Sequence, residues 1–313
     1  MSTLILVTGA TGFVGRALLP RLAEAGLEVR CLIRPSRRTP RLPRGVPVQV
    51  AIASLADERG LRTELVGVNT LIHLAGAEWR GEPEDLFAVD AAGTQSLVEA
   101  AKDAGVGRII YLSHLGADRA SAYPVLKAKG IAEEFVRQSG LPYTIIRSAL
   151  LYGEEDVFVN VLAMMLKLVP GFFLMPGDGR ASLQPLWVED LVTCLEWSLS
   201  DLTALNQTLS LGGPEFIPFQ QLVQIVMEAL GVRRLIVPVR PPLLRAGAWL
   251  MEQALPRSPL TTRWLDYLAI SRTCELTSVT RYFGLKPARL VNSLDYLRRK
   301  NWFAEMNRLV WGT

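Results

Sequence analysis

The amino-acid sequence predicts an α/β protein: a doubly wound parallel sheet with a smaller, mostly helical carboxyl-terminal part. Three observations lead there. Short β-branched runs alternate with amphipathic helical patterns over roughly the first half of the 313 residues, as successive βαβ units do. A glycine-rich turn directly follows the first run. After about Tyr152 the alternation loosens, and proline-punctuated helical patterns take over.

The first strand is predicted over Leu4–Thr8, and the helix after it over Val14–Ala25, stopped by Gly26. Strands follow at Glu28–Ile33, Val48–Ile52, Thr70–Leu74, Arg108–Ser113 and Tyr143–Arg147. Among them lie a long helix, Leu86–Ala104, ended by Gly105, and a second that includes Ile131–Ser139. Beyond Tyr152, helices are predicted at Val157–Leu168, Val188–Leu199 and Phe219–Leu230, with a late strand at Thr208–Leu211. On this pattern residues 1–152 form the sheet domain, and 153–313 a smaller part interleaved with it.

Half of the residues are apolar, which suffices for a large buried core. No run approaches the roughly 20 apolar residues that span a bilayer. The apolar start leads straight into a glycine turn and reads as a buried strand, not an export signal. Cys31, Cys194 and Cys274 are odd in number and far apart, which argues for a reducing cytoplasm without disulfides or a zinc pattern. With only two histidines, no metal site is expected.

The net charge of +4 is unevenly spread. From Arg233 onward, 14 lysines and arginines face 5 acids, so this tail carries +9 and the preceding residues −5. These cations are spaced singly along amphipathic patterns with no aromatic interleaving, so nucleic acid is not an expected partner. One segment stands apart. Leu243, Leu244, Trp249, Leu250 and Leu255 crowd together between Arg240, Arg245 and Arg257. Such a helix either packs on the protein's own core or docks it on a protein complex or the inner face of a membrane.

The strongest motif is Thr8-Gly9-Ala10-Thr11-Gly12-Phe13-Val14-Gly15, between the first strand and its helix. A phosphate reaches the backbone only where side chains are absent, and a helix amino terminus offers unpaired N–H groups. Gly9 serves the tight turn, Gly12 the approach of the pyrophosphate, and Gly15 close helix–strand packing. This is a Rossmann dinucleotide site, with Thr11, Phe13 and Val14 in the binding turn. Selectivity is read after the second strand, where NAD-specific sites place an acid. Here Ile33-Arg34-Pro35-Ser36-Arg37-Arg38 has none. Guanidinium groups suit a ribose 2′-phosphate, so NADP(H) is expected over NAD(H), with Arg34 first and Ser36, Arg37 and Arg16 as helpers.

These residues resemble the extended and atypical short-chain dehydrogenases/reductases. Leu74-Ala75-Gly76 is similar to the family's turn beside the cofactor, and Val89-Asp90-Ala91-Ala92-Gly93-Thr94 to its next helix signature. Tyr111-Leu112-Ser113-His114 resembles the fifth-strand end where a catalytic Ser or Thr lies. Tyr143–Arg147 with Tyr152-Gly153 resembles the strand and loop that enclose the nicotinamide. The group including the dinucleotide-binding accessory subunit of respiratory complex I fits best, through Asp156, Asn160, Gln184-Pro185 and Leu294–Trp302. That resemblance implies bound NADPH, and either a reductase or epimerase of unknown substrate or a non-catalytic binding module.

Catalysis in the family needs a Tyr and a Lys four residues later, sharing a helix face. Tyr123 and Lys127 have that spacing, with Ser113 as the third member and Lys127 also reaching the cofactor. Pro124 weighs against it by disfavouring helical geometry at Tyr123. A second register, Lys129 with Glu133, puts Val125 at the phenol's place. Both registers stand open on the sequence. His73 and His114 have no carboxylate partner evident in the sequence and read as structural histidines.

Overall fold

The computed structural model describes residues 3–36, 42–78, 86–255 and 257–311. Leu4–Thr8 (β1), Glu28–Ile33 (β2), Gln49–Ile52 (β3), Thr70–His73 (β4), Arg108–His114 (β5), Tyr143–Ser148 (β6) and Gln207–Leu211 (β11) form one sheet. Its order is β11-β6-β5-β4-β1-β2-β3, and every pairing is parallel. Strands succeed one another outward in both directions from β1 and β4, so the switch point lies between those two, where α/β sheets bind ligands at their carboxyl ends. Ile5, Leu6, Val7, Leu71 and Ile72 are wholly buried, because helices cover both faces of a parallel sheet.

The chain divides into two compact units. The first gathers residues 1–148, 188–211 and 278–285, and holds the whole seven-stranded sheet. Its first helix, Phe13–Glu24 (α1), begins at Gly12 and buries Leu18, Leu19 and Leu22. Glu58–Glu64 (α2) is capped by Asp57, whose carboxylate accepts the Gly60 N–H at 3.0 Å. The helix expected over Leu86–Ala104 opens as a π-helical turn, Phe87–Ala92, before continuing as Gly93–Asp103 (α3). That wider turn carries the buried Asp90, which accepts the Ala77 N–H at 2.8 Å. Pro124–Gln138 (α4) starts with proline at its first position, and Tyr123 sits before it in extended conformation. Gly130 lets this helix approach the loop after β5, since a Cβ there would lie 2.4 Å from Arg119 N.

The second unit comprises residues 149–187, 212–277 and 286–313. Its strands pair two by two: Leu151–Tyr152 (β7) with Leu186–Trp187 (β10), Phe172–Pro176 (β8) with Leu235–Val239 (β13), and Ser182–Leu183 (β9) with Ile217–Pro218 (β12). Phe158, at the head of Phe158–Leu168 (α5), anchors an aromatic core. It stacks on Trp264 at 4.8 Å, and Trp264 also meets Phe219 edge-on at 5.8 Å. Asp156 organises the start of α5 by accepting the Val159 N–H at 2.6 Å and the Asn160 amide at 2.8 Å. Gln184 is fully buried, donating to Gly213 O and accepting from Cys274 N, both at 2.8 Å.

Two further helices follow: Val188–Trp197 (α6) in the first unit, joined to α1 by Arg21–Glu196 at 3.0 Å, and Phe219–Leu230 (α7) in the second. Pro241–Ala254 (α8), also in the second unit, reverses the usual pattern. Leu243, Trp249 and Leu250 are 55–66% exposed, and Ala248 alone among its residues is buried. No helix among the described residues is long and apolar enough to cross a membrane.

Candidate functional site

The glycine turn joins β1 to α1 with the geometry its spacing implies. Gly9 has φ +71°, and a Cβ there would lie 2.6 Å from Ala75 N and Leu74 C. A Cβ on Gly15 would lie 2.4 Å from Gly9 O. Gly12 N donates to Gly9 O at 2.9 Å, closing the turn. The first turn of α1 has no side-chain cap and no acid, so its amino terminus presents N–H groups and a positive dipole end. This cradle fits the pyrophosphate of a dinucleotide: the backbone is bare where side chains would block it.

Gly9 packs against Leu74 and Ala75, which places the turn after β4 beside the glycine loop. A buried polar chain runs beneath. Ala75 N donates to Thr8 Oγ1 at 3.3 Å, and Thr8 Oγ1 lies 2.6 Å from His73 Nδ1. His73 Nε2 lies 2.9 Å from Thr94 Oγ1, and that hydroxyl donates to Asp90 O at 2.7 Å. Since Thr94 gives its proton to Asp90, His73 must donate to it through Nε2, leaving Nδ1 to accept from Thr8. The ring is therefore neutral. Burial, aided by the Lys129 charge, pushes its pKa down to about 3. His73 is structural.

The chain ends on an ion pair. Lys129 Nζ lies 2.9 Å from Asp90 Oδ1, with both side chains nearly inaccessible, and also donates to Leu112 O at 3.4 Å. Burial opposes the ammonium charge, but Asp90, Tyr111 and Glu78 outweigh it and hold the pKa above the ordinary lysine value. The Tyr111 phenol is pushed up to about 12 by burial, with Lys129 pulling the other way. Gly76 makes room for the pair: a Cβ there would lie 2.9 Å from Asp90 Oδ1 and 3.3 Å from Lys129 Nζ.

Among the described residues, no side-chain hydrogen bond or ion pair joins Tyr123, Lys127 and Ser113; the Lys127 N–H donates to Tyr123 O at 2.9 Å, as the first turn of α4 requires. The Ser113 hydroxyl is fully buried and donates to Glu133 Oε1 at 2.6 Å. Glu133 also takes Arg147 Nη2 at 2.6 Å and Arg137 Nη2 at 2.5 Å. Tyr123 is half-buried and contacts Ser121 through its own backbone N–H. Lys127 is exposed, whereas Lys129 faces inward. Arg34 is exposed at the carboxyl end of β2 and makes no hydrogen bond or ion pair among the described residues, and Ser36 is exposed close by. Arg16 lies half-buried on α1. Arg37 and Arg38 lie outside the described residues.

One pairing corrects the sequence reading. His114 does have a carboxylate partner: its Nε2 lies 2.6 Å from Glu78 Oε2, each side chain 14% exposed. The partners are 36 positions apart in sequence, and only the adjacency of β4 and β5 brings them together. The signal available was that His114 ends one strand and Glu78 follows the end of its parallel neighbour. Among the described residues no group of His, Cys, Asp and Glu could hold a metal ion.

A parallel sheet with this cradle at its switch point defines a nicotinamide-dinucleotide-binding protein, and comparison with known proteins agrees. The NAD(P)H-binding family model matches residues 9–164. The chain is 39% identical over 278 residues to sterol demethylase protein B of Methylococcus capsulatus, covering 85% of this chain and 80% of that one. It is 31% identical over 233 residues to the mitochondrial NADH dehydrogenase (ubiquinone) 1 alpha subcomplex subunit 9 of Arabidopsis thaliana. That match takes in 72% of this chain but only 57%, about half, of the subunit's length. The crystal structure of UDP-glucose 4-epimerase from Thermotoga maritima superimposes with a TM-score of 0.73 at 20% identity, covering 97% of this chain and 99% of that one. The chain belongs to the extended short-chain dehydrogenases/reductases and binds a nicotinamide dinucleotide.

Proposed function

We propose that this protein is an NADP(H)-dependent oxidoreductase or epimerase acting on a small molecule. The observation that carries the reading is Lys129, a buried ammonium between the Gly76 turn and the end of β5. A charged lysine kept there at the cost of desolvation suits a ribose hydroxyl beside a reacting nicotinamide. In this reading Gly9, Gly12 and Gly15, with the N–H groups of Phe13 and Val14, cradle the pyrophosphate. Leu74, Ala75 and Gly76 flank the cofactor, and the register adopted is Lys129, not Lys127. The 39% identity with sterol demethylase protein B over most of both chains favours an enzyme. When bound, the cofactor would supply or accept hydride. The protein's own residues orient it and manage the accompanying proton.

Arg34 supports the choice of NADP(H). It is an exposed guanidinium without a protein partner among the described residues, where an NAD-selective site would carry an acid. Calorimetric titration with NADPH and NADH tests this. Tighter NADPH binding that Arg34→Ala abolishes is the expected result, and equal affinities would overturn it.

A second reading, a binding module docked on a membrane-associated complex, is favoured by α8. Leu243, Trp249 and Leu250 face solvent there, and from Arg233 to Arg257 five arginines accompany a single acid. That combination suits an anionic membrane surface. The similarity to a complex I subunit points the same way. Flotation with phosphatidylglycerol-containing vesicles should show salt-sensitive association that Trp249→Ser with Leu250→Ser removes. No association at low salt would end this reading.

A further inference from the structure

In the second unit β8 and β13 form a two-stranded parallel ribbon. Each is an unbroken apolar run, the composition of parallel strands that are covered on both faces. Here only one face is covered. Phe173 and Met175 are buried, and the Phe173 ring lies 6.4 Å from that of Phe219 on α7. The register sets Phe172 beside Leu235 and Leu174 beside Val237, so these four share the opposite face. On it Phe172, Leu174 and Leu235 are 42–70% exposed, and no polar side chain interrupts them. Cations bracket this face. Lys167 and Arg233 precede the two strands, and Arg240 follows β13 directly. All three are exposed and make no ion pair among the described residues. Residues 165–177 and 233–251 together hold five cations and no acid. Through Arg240 alone, β13 passes into α8, where Leu243, Trp249 and Leu250 face solvent.

We propose that the outward face of the β8–β13 ribbon enters the interfacial layer of an anionic lipid bilayer, so that a strand pair and α8 hold this protein on the membrane together. The proposal rests on the second reading above and deepens it by adding a contact that α8 does not supply. The occupant follows from the order of chemistries on this surface. An apolar face edged by cations meets, in a bilayer, acyl chains edged by phosphate headgroups. Phe172, Leu174 and Leu235 leave water for the acyl boundary, and each area so buried favours attachment. Lys167, Arg233 and Arg240 keep their charges at headgroup level, where an anionic lipid is the counterion that the protein does not provide. A parallel pair that is bare on one face in water is then covered on both, as its composition requires.

Hydrogen exchange of the full, unmodified chain at low salt tests this, with phosphatidylglycerol-containing vesicles, with phosphatidylcholine vesicles and without lipid. Amides of residues 171–176 and 234–239 should exchange about tenfold more slowly on the anionic vesicles and nearly unchanged on the zwitterionic ones. Protection confined to 241–254 overturns the proposal and leaves the second reading standing. Equal protection by both lipids overturns the anionic surface. No association of the chain with either vesicle overturns the second reading and the proposal together. In flotation, Phe172→Ser with Leu235→Ser should lower partitioning to the anionic vesicles about tenfold or more. Val50→Ser with Ile52→Ser, at exposed apolar positions of β3 in the first unit, should leave it unchanged. Equal losses in the two variants overturn the proposal. So does a lipid-free dimer, seen by light scattering, that the ribbon variant dissociates, because a second copy would then cover this face. The exchange measurement uses the unmodified protein, so a ribbon variant that fails to fold does not spoil the test.

Discussion

Two lysines on α4, two positions apart, occupy opposite environments. Lys127 points to solvent, whereas Lys129 is 4% exposed and ion-paired with Asp90 at 2.9 Å. A helix turns about 200° over two residues, so both cannot face the sheet. The Tyr123–Lys127 spacing is that of one helix face, but Tyr123 lies before α4 in extended conformation, and the spacing does not say which face is buried. The buried face is declared instead by Leu126, Lys129, Gly130 and Glu133, and it is there that α4 meets the polar chain beneath the glycine loop. A pattern of letters thus marks a geometry, and packing decides whether that geometry has chemistry behind it.

The contrast is broken most readily by removing each lysine in turn. Lys129→Ala leaves the Asp90 carboxylate buried without its cation, a change of about 3–5 kcal/mol in folding stability. Lys127→Ala, at an exposed position, should stay within about 0.5 kcal/mol. Urea unfolding of the two variants checks this, and equal losses would erase the distinction between the faces.

Acid should act through the same inner chain. His73 has a pKa near 3 in the folded protein against an ordinary 6.5, so the unfolded chain binds the extra proton between those values. Its contribution is fully present above pH 6.5 and is lost as pH falls towards 3, at about 1.4 kcal/mol per unit. Unfolding measured from pH 7.5 to 5 should show this slope, and His73→Gln should flatten it. An unchanged slope in the variant would mean other groups govern acid sensitivity.

A smaller effect is expected at the outer end of the cofactor site. Arg34→Ala should weaken NADPH by about 10- to 100-fold, the loss of a charge-assisted contact, and leave NADH unaffected. The smallest effect belongs to Tyr123→Phe. Its hydrogen bonds among the described residues are made by its backbone, to Ser121 and Lys127, and not by its phenol, so stability and NADPH affinity should hardly change. Once a turnover assay exists, a loss of about 10²–10⁴-fold in this variant would make the outer face the working one.

The sheet was largely legible in the sequence, because strand and helix periodicities and the glycine turn are local signals. Six of its strands fall where β-branched runs stand, and Gln207–Leu211 joins them as expected for a late strand. The glycine cradle was legible for the same reason: Gly9, Gly12 and Gly15 lie within seven residues of one another. The polar interior was not. Asp90 reaches Lys129 through a π-helical turn that helix periodicity does not announce, and Glu78 reaches His114 across adjacent strands. Such pairings depend on register and packing, which pattern alone leaves undetermined. The outward apolar face of α8 was visible as a crowded segment, but its orientation appears only in three dimensions.

The central claim is that the inner face of α4 holds the dinucleotide. Calorimetric titration of NADPH into Lys127→Ala and Lys129→Gln, side by side with the unmodified protein and with folding verified by circular dichroism, tests it most directly. The account predicts affinity within about twofold for Lys127→Ala and a loss of about tenfold or more for Lys129→Gln, whose neutral amide keeps the length but not the charge. A Lys129→Gln protein that folds and binds NADPH as tightly as the unmodified chain, with Lys127→Ala impaired, would contradict it.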